Sequence, residues 1–87
     1  MRVLHVTAHK HDAYNSFQEA AKFSTGNVRH STECIKWEEG DSIHFRSIRT
    51  LEDAHRLAGY YFDLIIFDTT LVEEEIKAYL LSLVRSP

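Results

Sequence analysis

Apolar residues fall along this chain in short extended runs and in helical stripes that take turns. Arg2 to Thr7 (Arg-Val-Leu-His-Val-Thr) shows little alternation and predicts a first strand near the centre of a sheet. From Asp12 to Phe23 the residues Ala13, Phe17, Ala20 and Ala21 recur at helical spacing, with Tyr14 near the same face. Asp12 suits a cap at the helix start, and Gly26 follows in a stop position. Val28 to Trp37 reads as one extended strand. Glu38-Glu39-Gly40-Asp41 is a turn, and Ser42 to Ser47 returns as a second strand, giving an antiparallel hairpin. Thr50 and Asp53 form a near capping box for a helix that carries Leu51, Ala54, Leu57 and Ala58 inward and stops near Gly59.

The stretch Tyr61-Phe-Asp-Leu-Ile-Ile-Phe-Asp68 is the most informative. Four consecutive apolar residues run into a lone carboxylate. This predicts a strand, Phe62 to Phe67, buried on both faces at the centre of a parallel sheet. Asp68 then stands at the strand's carboxyl end, where open α/β sheets place ligands. Thr70 and Glu73 form a second capping box. The helix they open has Val72, Ile76, Tyr79, Leu80, Leu83 and Val84 on one stripe, acids at its start and Arg85 near its end. The predicted order is β-α-β-β-α-β-α. The fold class is α/β: one small domain over residues 1–87, mainly parallel, with an antiparallel hairpin.

The composition narrows the function classes. With 87 residues the chain builds one modest core. A net charge of -3 argues against a dedicated nucleic-acid binder, which carries a basic surplus. Arg46, Arg49 and Arg56 still allow a local basic patch. Cys34 is the only cysteine, which suits a reducing, cytoplasmic setting. No run reaches the roughly 18 apolar residues of a membrane span, and the first residues do not read as a signal peptide.

Candidate chemistry gathers at the strand ends. If the first and last strands are parallel neighbours, His9, His11, Asp12 and Asp68 share one rim. Two imidazoles with carboxylates suit Zn²⁺ or another divalent metal. The same residues also suit a polar loop, with Asp12 capping the helix and Asp68 bonded to the turn that follows. His5 reads as a hydrogen-bonded core histidine and Cys34 as an apolar filler. Trp37, Tyr60 and Tyr61 fit either core packing or an aromatic protein-binding patch. Glu73 to Glu75, with Glu38, Glu39 and Asp41, read as solvated acidic clusters.

In order, these features resemble the ATPase core of viral large terminases and related helicases, in the part after the P-loop. A strand like Arg2-Val-Leu-His-Val-Thr-Ala8 leads into a helix there. A hairpin like Ile35 to Phe45 follows, then an Arg–Gly segment like Arg56-Leu-Ala-Gly59, and a Walker B strand similar to Phe62-Asp-Leu-Ile-Ile-Phe-Asp68. The resemblance covers about residues 2 to 70 and implies a viral protein with a degenerate P-loop-ATPase-like scaffold. It also departs from that pattern. No G-x-x-x-x-G-K-[ST] occurs, and Thr69 stands where the family has its catalytic glutamate.

The sequence therefore points first to a non-enzymatic accessory or regulatory protein without a cofactor. It would bind a larger protein through Trp37, Tyr60, Tyr61, Arg46 and Arg49, with a homodimer plausible through exposed sheet edges. Two alternatives stay open. One is a small metal-dependent hydrolase or metal-binding protein on the His9, His11, Asp12 and Asp68 rim. The other is residual nucleotide or nucleic-acid binding by Arg46, Arg49 and Arg56 with Asp68.

Overall fold

The computed structural model describes residues 1–68 and 73–84. The elements run β1 (Arg2–Thr7), α1 (Lys10–Phe23), β2 (Asn27–Arg29), β3 (Cys34–Lys36), β4 (Ser42–Ser47), α2 (Leu51–His55), β5 (Leu64–Phe67) and α3 (Glu74–Leu81). Five strands form one mixed sheet in the order β2-β3-β4-β1-β5. β1 is central and runs parallel to β4 on one side and β5 on the other. β2, β3 and β4 form an antiparallel meander. The α/β class agrees with the sequence pattern, but the sheet is mixed rather than mainly parallel, with two parallel and two antiparallel pairings. Among the described residues no helix is long and apolar enough to cross a membrane.

The pleat sends alternate residues to opposite faces. One row, Val28–Ile35–Ile43–Val3–Leu64, crosses all five strands on the face that carries α1. There Phe17 of α1 packs with Ile35 and Phe45, flanked by Val28, Trp37 and Ile43. The adjacent row on the other face reads Arg29–Cys34–His44–Leu4–Ile65. On that face Leu4, Val6 and Ile65 lie beneath Ala54 of α2 and Ile76 and Leu80 of α3. α1 thus covers the hairpin side of one face, and α2 with α3 cover the β1–β5 side of the other.

Several local expectations change. The Val28–Trp37 stretch is two strands, not one: residues 30–33 turn the chain back, with Glu33 at a positive φ of 48°. A non-glycine residue in the left-handed region leaves no glycine signal to read. The Phe62–Phe67 strand is not central. β5 lies at the end of the sheet order, and Leu64 and Ile66 are 45% and 40% exposed on the half of the α1-side face that α1 leaves bare. A continuous apolar run can fill one covered face and leave the other bare, so it does not by itself report burial on both faces.

Helix ends differ as well. α1 starts two residues before Asp12, which lies in its first turn rather than at the cap, a position held by His9 without a side-chain bond. Tyr14 is half exposed rather than inward. The Thr50–Asp53 capping box is present as read: the Asp53 N–H donates to Thr50 Oγ1 at 3.1 Å, and Thr50 N–H donates back to Asp53 Oδ2 at 3.4 Å. α3 begins after Glu73; Thr70, Val72 and Arg85 lie outside the described residues. Its Ile76, Leu80 and Leu83 are buried as the stripe requires.

Gly26 sits where the chain leaves α1 for β2. A Cβ there would stand 2.8 Å from Ile35 Cγ2 and 2.9 Å from two atoms of the Trp37 ring. Gly26→Ala therefore forces Trp37 off the α1-side core, and chemical denaturation should show a loss of about 1–3 kcal/mol.

Candidate functional site

The three parallel strands end at a common rim. Asp68, just past β5, donates its backbone N–H to the Val6 carbonyl at 2.9 Å. Its Oδ2 accepts from Ser16 Oγ of α1 at 3.3 Å and lies 3.5 Å from His5 Nε2. His5 is a core histidine on the α1 face, its ring 5.1 Å from that of Phe45. Burial pushes its pKa down, partly offset by the Asp68 carboxylate, and its Nδ1 is buried without a partner. Asp68 is thus held by a hydroxyl and an imidazole. Among the described residues no group of three or more His, Cys, Asp or Glu side chains is gathered to hold a metal. The rim proposed from His9, His11, Asp12 and Asp68 is not assembled as such a set.

A concavity lies on the opposite face, over the half of the sheet that α2 and α3 leave uncovered. It is a groove of about 470 Å³. Its floor is Leu4, Cys34, Ile48 and Phe62, with His44 at the centre of the row described above. Five cations line it: Arg2 from β1, Arg29 from β2, Lys36 from β3, Arg46 from β4 and Arg56 after α2. The one carboxylate among its lining residues is Asp53. That group is committed elsewhere. It accepts the backbone N–H groups of Arg49 and Thr50, and those bonds, the Arg49 one first, hold its pKa below the usual carboxylate value.

Arg46 and Arg2 are positioned by backbone and aromatic contacts. Arg46 Nη1 donates to the carbonyls of Thr32 and Phe45, both at 2.7 Å. The Arg2 guanidinium stands 5.5 Å from the Tyr60 ring centroid and 5.7 Å from that of Phe62, within cation–π range. Arg56 instead lies 4.0 Å from Asp53. His44 reports the resulting field. Burial first, then Arg2, Arg46 and Lys36, depress its pKa to about 4. Protonating it would add a further positive charge beside Arg2, Arg46 and Lys36.

The residues singled out from sequence are divided by this geometry. Arg46, Arg56 and Tyr60 line the groove, whereas Arg49 is exposed and outside it. Asp68 faces the α1 side with His5, so it does not join Arg56 in one nucleotide-like site. Trp37 is half-buried against the α1-side core, and Tyr61 is 55% exposed beyond the groove lining. Arg2, Arg29 and Lys36 were not legible as site residues, because only the strand register brings them beside Arg46. Compared with protein-family models, curated proteins and solved structures, the chain matches none.

The pKa of His44 has a stability consequence. The unfolded chain takes up its proton near the ordinary value of 6.5, the folded chain only near 4. The unfolded state therefore binds more protons between those values, and stability is fully present above 6.5 and falls as pH drops toward 4. Denaturation midpoints followed across this window should decline in the wild type and decline less in His44→Gln. His5, depressed in the same direction, accounts for part of the slope that remains.

Proposed function

We propose that this chain is a non-enzymatic accessory or regulatory domain that works by binding, with the cationic groove as the site for a polyanionic ligand. The observation that carries this reading is the gathering of five cations around one concavity in a chain of net charge -3. Confining so much positive charge has a cost in self-repulsion, which adds to burial in depressing the pKa of His44 and which a bound anion would relieve. The groove volume lies within the roughly 300–1,000 Å³ typical of small-ligand sites. Its lining offers charge and shape but no free acid–base pair, which is why binding rather than turnover is proposed.

The terminase-like resemblance enters as scaffold only. β1, β4 and β5 are parallel, and Asp68 ends β5 as a Walker B acid would. The groove does not use Asp68 and lies on the other face.

A larger protein partner forms a second reading, carried by a different observation. Tyr61, Leu64 and Ile66 are 55%, 45% and 40% exposed along β5. Such a strip suits docking against a protein. The free edge is already taken up just before β5, where Phe62 bridges to Val84 and donates its N–H to the Leu83 carbonyl. The apolar face of β5, rather than its edge, is therefore proposed as the protein-docking element. Ile66→Glu should leave the circular dichroism spectrum unchanged and abolish stable association with a protein partner. Unaltered association would remove this second reading.

The groove is tested with inorganic tripolyphosphate by titration calorimetry at low ionic strength and again near ~0.2 M salt. Wild-type protein should bind, with affinity falling as salt rises. Arg46→Ala should lose about tenfold, the value of one charge-assisted contact. Arg49→Ala, outside the groove, should bind like the wild type. Equal losses at Arg46 and Arg49, or no binding at low salt, would overturn the reading.

A further inference from the structure

Resting on the polyanion reading of the groove, we infer that its ligand is a nucleotide, held by its phosphates on Arg29, Lys36 and Arg46 and by its base on Tyr60.

The groove is asymmetric. Three of its five cations converge from the hairpin strands, Arg29, Lys36 and Arg46 on β2, β3 and β4, while Arg2 comes from β1 and Arg56 follows α2. Its opposite wall is aromatic, with Phe62 buried and Tyr60 half exposed. Arg2 bridges the two ends, its guanidinium over both rings and its position on the groove lining. A ligand matching this wall must carry clustered negative charge at one end and a flat ring at the other. Phosphate oxygens meet guanidinium groups in charge-assisted bonds, and Arg46 is already oriented by its two backbone acceptors. A flat heterocycle meets the exposed tyrosine ring and the planar Arg2 guanidinium by stacking, worth about 1–3 kcal/mol per base.

The surroundings bound the ligand's length. Beyond Lys36 the surface continues into Trp37, Glu38 and Glu39, and past Arg2 and His44 it reaches Asp41. A polynucleotide running on along either path would carry its backbone past carboxylates. The basic track is about one ligand long, so a single nucleotide fits and a long strand does not. This site is distinct in place and residues from the Asp68 rim, which lies on the α1 face.

The experiment compares ATP, GTP, CTP and UTP with inorganic tripolyphosphate, and with a ten-nucleotide single strand, by calorimetry on the intact chain. Nucleoside triphosphates should bind about tenfold more tightly than tripolyphosphate, in keeping with one stacked base. Tyr60→Ala should bring the nucleoside triphosphate and tripolyphosphate affinities measured on that variant together, and Tyr60→Phe should keep them apart. Because Tyr60 is half exposed, truncating it leaves the core intact. Tripolyphosphate binding as tightly as the nucleotides would overturn this inference and leave the polyanion reading standing. Tighter binding of the single strand would also overturn it, moving the ligand to a polymer. Binding of none of them would remove both readings.

Discussion

A five-stranded sheet has two faces to cover, and three helices, two of them short, cannot cover both. This mismatch of area shapes the molecule. α1 packs through Phe17 over Ile35 and Phe45 on the hairpin side of one face. α2 and α3 seal Leu4, Val6 and Ile65 on the β1–β5 side of the other. Each face is therefore half dressed, and the bare halves lie diagonally opposite. One bare half is charged and concave, and the other is the apolar strip of Leu64 and Ile66. Both proposed binding surfaces follow from where the helices stop.

Register converts that arrangement into chemistry. A single hydrogen-bonded row brings Arg29, Cys34 and His44 from three strands into line with Leu4. Arg46 and Arg2 stand on the same face, two residues along their own strands from His44 and Leu4. Shifting any of these strands by one residue would turn its cation to the α1 side. The positive field is thus a product of strand pairing as much as of composition. Cys34, buried at 2% exposure, supplies a small floor residue where a larger side chain would fill the concavity.

Much of the scaffold was legible in the sequence. The apolar runs of β1, β4 and β5, the Phe17 face of α1 and the Thr50–Asp53 box all carry local signals that the fold keeps. The β2–β3 turn did not, because Glu33 adopts a positive φ without a glycine to announce it. The position of β5 was misread for a physical reason: Leu64-Ile65-Ile66-Phe67 has the same composition whether one or both faces are covered. Of the groove, Arg46 and Arg56 could be suspected from their nearness in the chain. Arg2, Arg29 and Lys36 are scattered across strands, and no local pattern links them. The expected rim of His9, His11 and Asp12 with Asp68 drew on strand adjacency, which holds, but Asp68 is engaged by Ser16 and His5.

Phe62 serves both the packing of α3 and the wall of the groove. Its backbone N–H donates to the Leu83 carbonyl at 3.0 Å, and a parallel bridge sets it beside Val84 just past α3. Its ring belongs to the same buried cluster as Leu80 and Leu83, yet it also meets the His44 ring edge-on at 6.3 Å and forms part of the groove. The docking of the last helix and the shape of the groove wall therefore share one side chain. Disturbing the packing of α3 would therefore reach the groove wall through this one side chain.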